Sequence, residues 1–231
     1  MTTAYTELSE PLVAADGVYA PQQDSQLLVE ALEKTGLGPG RRVVDLCTGS
    51  GVVAIDASEQ GASAVTAFDI CPRAVRCARA NALAAGAEVD VHLGSWARAL
   101  EFGPFDLVLS NPPYVPHDPD DDTEAIPANA GPARAFNAGP DGRLVLDPLC
   151  VAAPDLLAEG GTMLLVQSEF AEVEQTLVSL RNAGLNATVI AWQHIPFGPV
   201  MSARARWLER AGRLPSGRRE EELVVIRADK L

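Results

Sequence analysis

The chain has no apolar run long enough to cross a bilayer, so a membrane-spanning protein is not expected. Its first residues, Met1 to Ala15, carry Glu7 and Glu10 and no basic residue, which excludes a secretory signal peptide. The cysteines are four, Cys47, Cys71, Cys77 and Cys150, and no two form a Cys-x-x-Cys pair. Neither a zinc site nor a disulfide framework is therefore indicated, and a reduced cytoplasmic protein fits best. His92, His117 and His194 fall in no ligand pattern and read as ordinary surface or loop residues, so no metal is expected. Basic residues are also scarce, 18 Lys and Arg against 31 Asp and Glu, for a net charge of -13. That balance disfavours non-specific binding to nucleic-acid backbone. No internal repeat is visible.

What the chain does have is enough length, 231 residues, and enough apolar content, 47%, for one α/β domain with a full core. Asp24 or Ser25 can cap a helix built on Leu27, Leu28, Ala31 and Leu32 and ending near Gly36. Strands are expected at 42–46, 64–69, 89–93, 105–109, 162–167, 187–192 and 222–226. Helices are expected at 52–59, from Pro72 to Ala84, at 144–157 with breaks at Pro148 and Pro154, and at 170–183. This alternation implies a mostly parallel sheet with right-handed crossovers. The reading is a single domain, 1–231. Residues 1–40 are a lead-in and helix, 115–142 a substrate-side loop whose Pro-, Gly- and Asp-rich part from His117 to Gly142 reads as mobile, and 194–221 an insertion before the last strand.

The most informative stretch is Ser110-Asn111-Pro112-Pro113-Tyr114, which follows the apolar run Phe105 to Leu109. Two prolines remove two backbone donors, and each holds the residue before it extended. The result is a stiff spur carrying one amide, one aromatic ring and exposed carbonyls. The Asn111 side-chain oxygen and the Pro112 carbonyl can each accept one N–H of a planar –NH2 group, and Tyr114 can stack on its face. An ordinary turn would use the same dipeptides, but a second motif lies upstream.

Val43 to Gly51 reads as a strand, a glycine turn and a helix start, and Asp69 ends the next strand. That is the geometry of a nucleoside bound across strand tips, with Asp69 accepting both ribose hydroxyls. The glycines match a dinucleotide fingerprint loosely, as Gly49-x-Gly51-x-x-Ala54, so NAD competes with S-adenosylmethionine. Asp45 favours the latter. A carboxylate at the strand tip repels a pyrophosphate and welcomes an ammonium and a sulfonium.

On these residues the chain resembles class I S-adenosylmethionine-dependent methyltransferases, and among them the PrmC/HemK protein glutamine methyltransferases. The likeness is carried by Gly17-Val18-Tyr19-Ala20-Pro21 with Asp24-Ser25, by Asp45 to Gly51, by Asp69, by Asn111 to Tyr114, and by Phe136 to Gly142. It implies a Rossmann-like fold with a seven-stranded sheet whose last strand is antiparallel. It implies catalytic roles for Asn111, Pro112, Pro113 and Tyr114. Cofactor contacts are implied for Tyr19, Ser25 and Asp45, for Cys47, Thr48, Gly49 and Gly51, for Asp69 and Ile70, for Ser95 and Trp96, and for Asn111. Ser95 and Trp96 stand where an acid commonly holds the adenine amino group. The stretch before Arg42 is too short for the helical domain of the bacterial enzymes, and so resembles the short branch. Eukaryotic members of that branch work with a small zinc-binding partner, so an activator subunit is expected.

The function implied is methyl transfer to a glutamine side-chain amide, typically in a translation release factor. The same spur would serve the amino group of adenine in RNA or DNA, with the base unstacked into the pocket, or a small-molecule amine. Arg204, Arg206, Arg210, Arg213, Arg218 and Arg219 allow a basic patch, against the plainer reading of a solvated helical face. The acids at Asp118, Asp120, Asp121, Asp122 and Glu124 favour a protein acceptor over phosphates.

Overall fold

Apolar strands of four to six residues, buried on both faces, are the mark of a parallel sheet sandwiched by helices. The computed structural model, which describes residues 17–118, 126 and 130–231, contains such a sheet. Its parallel strands are β1 (Arg42–Leu46), β2 (Ala64–Asp69), β3 (Asp90–Leu93), β4 (Phe105–Ser110) and β5 (Leu157–Ser168). A closing pair, β6 (Asn186–Pro196) and β7 (Glu220–Asp229), completes it, with β7 antiparallel to both neighbours. The strand order is β3-β2-β1-β4-β5-β7-β6, seven strands in all.

The helices are α1 (Gln23–Thr35), α2 (Val52–Glu59), α3 (Pro72–Ala85), the one-turn α4 (Trp96–Ala99), α5 (Leu146–Leu156), α6 (Val173–Asn182) and α7 (Pro199–Arg210). From β1 the chain steps outward to β2 and β3, then returns past β1 to β4 and β5. Right-handed crossovers in opposite directions put their helices on opposite faces. Accordingly α1, α2 and α3 pack as one run and α4, α5 and α6 as another. Among the described residues no helix is long and apolar enough to cross a membrane.

Several boundaries differ from the sequence reading. Helix α1 begins one residue before Asp24, and the residue preceding it, Gln22, makes no side-chain cap. Asp24 and Ser25 lie inside the first turn and are buried, so neither is the cap expected of them. The 170–183 helix is divided at Glu172, whose positive φ of 58° ends a short 3₁₀ turn and starts α6. Pro148 falls in the first turn of α5, where its missing N–H has no partner to lose, and only Pro154 interrupts the helix. Residues 194–221 are less an insertion than a hairpin with a helical tip. β6 and β7 pair from Asn186↔Asp229 to Pro196↔Glu220, and α7 occupies much of what remains.

The arginines of that tip divide: Arg206 and Arg210 lie exposed on α7, as a solvated face would have them, while four others are engaged within the protein. Arg204 is 5% exposed and donates to Asn137 Oδ1 at 3.0 Å. Arg213 donates to the carbonyls of Pro140 and Phe170, at 2.6 and 3.0 Å. Arg218 pairs with Glu169, and Arg219 with Glu209 at 2.7 Å. Arg204, Arg213 and Arg218 fasten the tip to the segment after the spur and to the end of β5, and Arg219 closes the tip on itself. His92 is likewise no simple surface residue, since its ring stacks on Phe68 at 5.3 Å and lies 4.6 Å from Phe102.

Candidate active site

The register of the sheet places the site before any side chain is considered. Leu46 of β1 is level with Phe68 of β2 on one side and Ser110 of β4 on the other. The residues that follow, Cys47, Asp69 and Asn111, therefore reach the same edge of the sheet together. The chain order reverses at β1, and the crevice beyond the carboxyl end of such a strand is where open α/β sheets bind ligands. A cavity of about 370 Å³ lies there.

The turn after β1 has positive φ at Cys47 (61°), Gly49 (56°) and Gly51 (87°). A side-chain-bearing residue such as Cys47 adopts that state at a cost, and such residues gather at functional turns. A Cβ on Gly51 would stand 3.0 Å from the Cβ of Ala78, so this glycine lets α2 and α3 approach. Gly51 itself does not line the cavity. Ser50, Val52 and Val53 line it instead.

Two acids at the strand tips, Asp45 and Asp69, face the cavity beside Asp24 of α1. Asp69 accepts the Gly49 N–H at 2.9 Å through Oδ2 and the Cys71 N–H at 2.8 Å through Oδ1. It thus ties the glycine turn to the end of β2, and each oxygen keeps a lone pair for a ligand. Burial raises its pKa against those two bonds and the nearby Arg134, which lower it. Asp45 is 1% exposed, and its Oδ2 accepts the Thr48 hydroxyl at 2.5 Å. Burial pushes its pKa up to about 7, and the neighbouring charge, Asp69, has the same sign and adds to the rise. A buried acid held only by neutral donors is suited to a cation and ill suited to a pyrophosphate. The cavity therefore fits S-adenosylmethionine better than NAD. Ile70, Ser95 and Trp96 line the far part of the cavity, and Ile70 is 61% exposed.

Asn111 donates its Nδ2–H to Ser25 Oγ at 3.2 Å, which leaves Oδ1 at the cavity. Among the described residues no donor reaches Oδ1 or the Pro112 carbonyl. Tyr114 is anchored: its hydroxyl donates to Asp24 Oδ2 at 3.0 Å, its ring is 9% exposed, and it joins the core while lining the cavity. Tyr19 donates to the same oxygen at 3.3 Å. Burial and the Asp24 charge push both phenols up.

The segment after the spur is pinned where it is described. Val115 N–H donates to Phe136 carbonyl at 2.8 Å, Ala138 N–H to Val115 carbonyl at 3.0 Å, and His117 N–H to Gly139 carbonyl at 2.9 Å. These bonds tie residues 136–139 of the expected substrate-side loop to the end of the spur. The acids Asp120, Asp121, Asp122 and Glu124 lie outside the described residues. The sequence reading missed Asp24 and the exposed Arg134 as cavity residues. A signal existed for Asp24, since it stands three and four residues before Leu27 and Leu28, on the apolar face of α1.

Sheet order, antiparallel last strand and a cavity at the β1–β4 edge define the class I fold of S-adenosylmethionine-dependent methyltransferases. Residues 11–130 match the model of the methyltransferase small domain family, and the chain belongs to that family and is a methyltransferase. The chain is 29% identical over 188 residues to a Methanocaldococcus jannaschii protein provisionally named protein N5-glutamine methyltransferase, covering 81% of this chain and 91% of that one. It is 42% identical over 150 residues to the release factor glutamine methyltransferase of Rhodospirillum rubrum, covering 62% of this chain and 45% of that one. With the Mycolicibacterium smegmatis enzyme of the same name the figures are 35% over 164 residues, 69% and 57%. The chain thus spans about half the length of these bacterial relatives. Among solved structures, the E. cuniculi Mtq2-Trm112 complex, described as methylating the termination factor eRF1, matches with a TM-score of 0.63 at 22% identity. That match covers 93% of this chain and 99% of the other.

Proposed function

We propose that this methyltransferase transfers the methyl group of S-adenosylmethionine to the side-chain amide nitrogen of a glutamine in a translation release factor. The observation that carries this reading is the pair of unfilled acceptors, Asn111 Oδ1 and the Pro112 carbonyl, at the edge of a cavity whose buried acids suit a cationic cofactor. The names of the relatives supply the acceptor. The E. cuniculi complex supplies the expectation of a small activator subunit, and the whole chain is read as one catalytic domain.

When bound, the cofactor supplies a methyl group already activated on a sulfonium. The protein's part is alignment and charge stabilisation. Asp69 would hold the ribose hydroxyls, Asp45 would face the ammonium end, and Ile70, Ser95 and Trp96 would flank the adenine. An amide nitrogen is a weak nucleophile because its lone pair is conjugated with the carbonyl. Asn111 Oδ1 and the Pro112 carbonyl would each accept one of its N–H bonds, orient it, and stabilise the positive charge that grows on nitrogen, until the methylated nitrogen gives up one of those protons to water. Tyr114, fixed by Asp24, would form the wall against which the flat amide rests.

The test offers the purified protein release factor, RNA and DNA separately, with labelled cofactor and with a candidate activator subunit present. Mass spectrometry then locates the methyl group. Label on a release-factor glutamine is expected. Label on adenine, with none on protein glutamine, would overturn this reading. The arginines of 204–219 already engaged within the protein weaken the case for that outcome.

A further inference from the structure

We propose that Asp24 is a positioning residue that sets which way the Asn111 amide faces, acting through Ser25. The inference rests on the reading of Asn111 as the group that holds the acceptor amide. An asparagine side chain has two ends of nearly equal size, one donating and one accepting, and only its hydrogen-bond partners distinguish them. A serine beside it can offer either a hydrogen or a lone pair, so Ser25 alone would permit both orientations. The carboxylate of Asp24 removes the choice. An ionised carboxylate accepts only, and Asp24 Oδ1 accepts the Ser25 N–H at 2.7 Å and the Ser25 hydroxyl at 3.4 Å. With its one hydroxyl hydrogen drawn to Asp24, Ser25 meets Asn111 as an acceptor. Asn111 then presents Nδ2–H to Ser25 and turns Oδ1 to the cavity.

The other carboxylate oxygen is held as firmly. Oδ2 of Asp24 accepts from the hydroxyls of Tyr19 and Tyr114, and the residue is 5% exposed. Tyr114 ends the same spur that Asn111 begins. One buried carboxylate on α1 therefore fixes both ends of the spur, one through Ser25 and one directly. Packing alone would be served equally by an isosteric amide, whereas the direction of the chain of bonds requires a group that cannot donate.

The experiment compares the full chain with Asp24→Asn, Ser25→Ala, the double variant and Asn111→Ala. It reads turnover on release-factor protein at saturating cofactor, cofactor affinity by calorimetry, and the Asn111 side-chain amide resonances, identified by their loss in Asn111→Ala. Asp24→Asn and Ser25→Ala should each lower kcat on the order of tenfold to a hundredfold and displace the Asn111 resonances. In Asp24→Asn the cofactor Kd should stay within about threefold, and the double variant should lose no more kcat than the larger single loss. Unchanged turnover and resonances in both variants, losses in kcat that multiply, or in Asp24→Asn a loss carried by cofactor Kd would overturn the proposal. If Asp24→Asn fails to fold, Ser25→Ala alone decides through the same readouts. Wild-type turnover in Asn111→Ala would overturn the acceptor reading instead, and the resonances would then judge the Asp24–Ser25–Asn111 chain by themselves.

Discussion

Asp69 shows how one side chain serves structure and ligand at once. Its two oxygens are each half used, by the N–H groups of Gly49 and Cys71, and each has a second lone pair facing the cavity. Asp69→Ala removes the ribose acceptors and also orphans the donors that hold the glycine turn. Hydrogen bonds to a charged group contribute about 1.5–3 kcal/mol each, so cofactor affinity should fall by about tenfold or more. Asp69→Asn keeps one acceptor oxygen and should fall between wild type and Asp69→Ala. Titration calorimetry with S-adenosylmethionine checks the order, and equal affinity in all three would remove Asp69 from the cofactor site. At this scale the sequence was legible where a residue ends a strand. It was misleading for Asp24, whose type suggests a cap while its place on the apolar face of α1 buries it.

The glycine-bearing segment 136–142 is the element that braces the spur. Gly142 has φ of 79°, and a Cβ there would collide with the Tyr114 carbonyl, with Pro116 and Ala171 also within contact. The segment packs against the backbone of Tyr114 itself. Gly142→Ala should therefore displace the spur rather than create a local strain alone, at a cost on the order of 1–3 kcal/mol of stability. Turnover should fall while cofactor affinity stays near wild type, because Asp45 and Asp69 sit on strands that the change does not touch. Melting temperature and calorimetry beside the activity assay check this. A variant with wild-type turnover would show that the spur holds its geometry without the brace. The hairpin tip is the counterpart on the other side. Its Arg204, Arg213 and Arg218 are spent on Asn137, Pro140 and Glu169 rather than on a partner's phosphates.

For the molecule as a whole, buried acids govern the response to pH. Burial pushes Asp45 to about 7, Asp56 to about 6 and Glu221 to about 7, from ordinary values of 3.8, 3.8 and 4.5. The folded state thus holds protons that the unfolded chain releases. The stability from these groups is complete below the unfolded values and is lost as pH rises through the folded ones. The ligand-free protein should melt at a higher temperature near pH 5.5 than near pH 8, roughly the window these values span. Saturating S-adenosylmethionine should shrink the difference, because a cation at Asp45 favours its ionised form. Thermal unfolding across that range checks both. A melting temperature that drops steadily on acidification would contradict the sign derived from burial.

The sequence by itself determined the order of elements, the β1 turn and the spur, because these rest on local rules. Buried strands need unbroken apolar runs, a tight turn needs positive φ, and two prolines forbid a helix. It also singled out Asp45, Asp69 and Asn111, since a polar residue at the end of an apolar strand has few structural uses. Only the tertiary structure decided what those residues meet. Ser25 is far from Asn111 along the chain and Asp24 far from Tyr114, and no periodicity within α1 foretells either contact. Arg204, Arg213 and Arg218 follow the same rule, since their partners lie on other segments. Local backbone preferences are written in neighbouring residues, whereas the partner of a buried polar group is fixed only when the sheet brings distant segments to one edge.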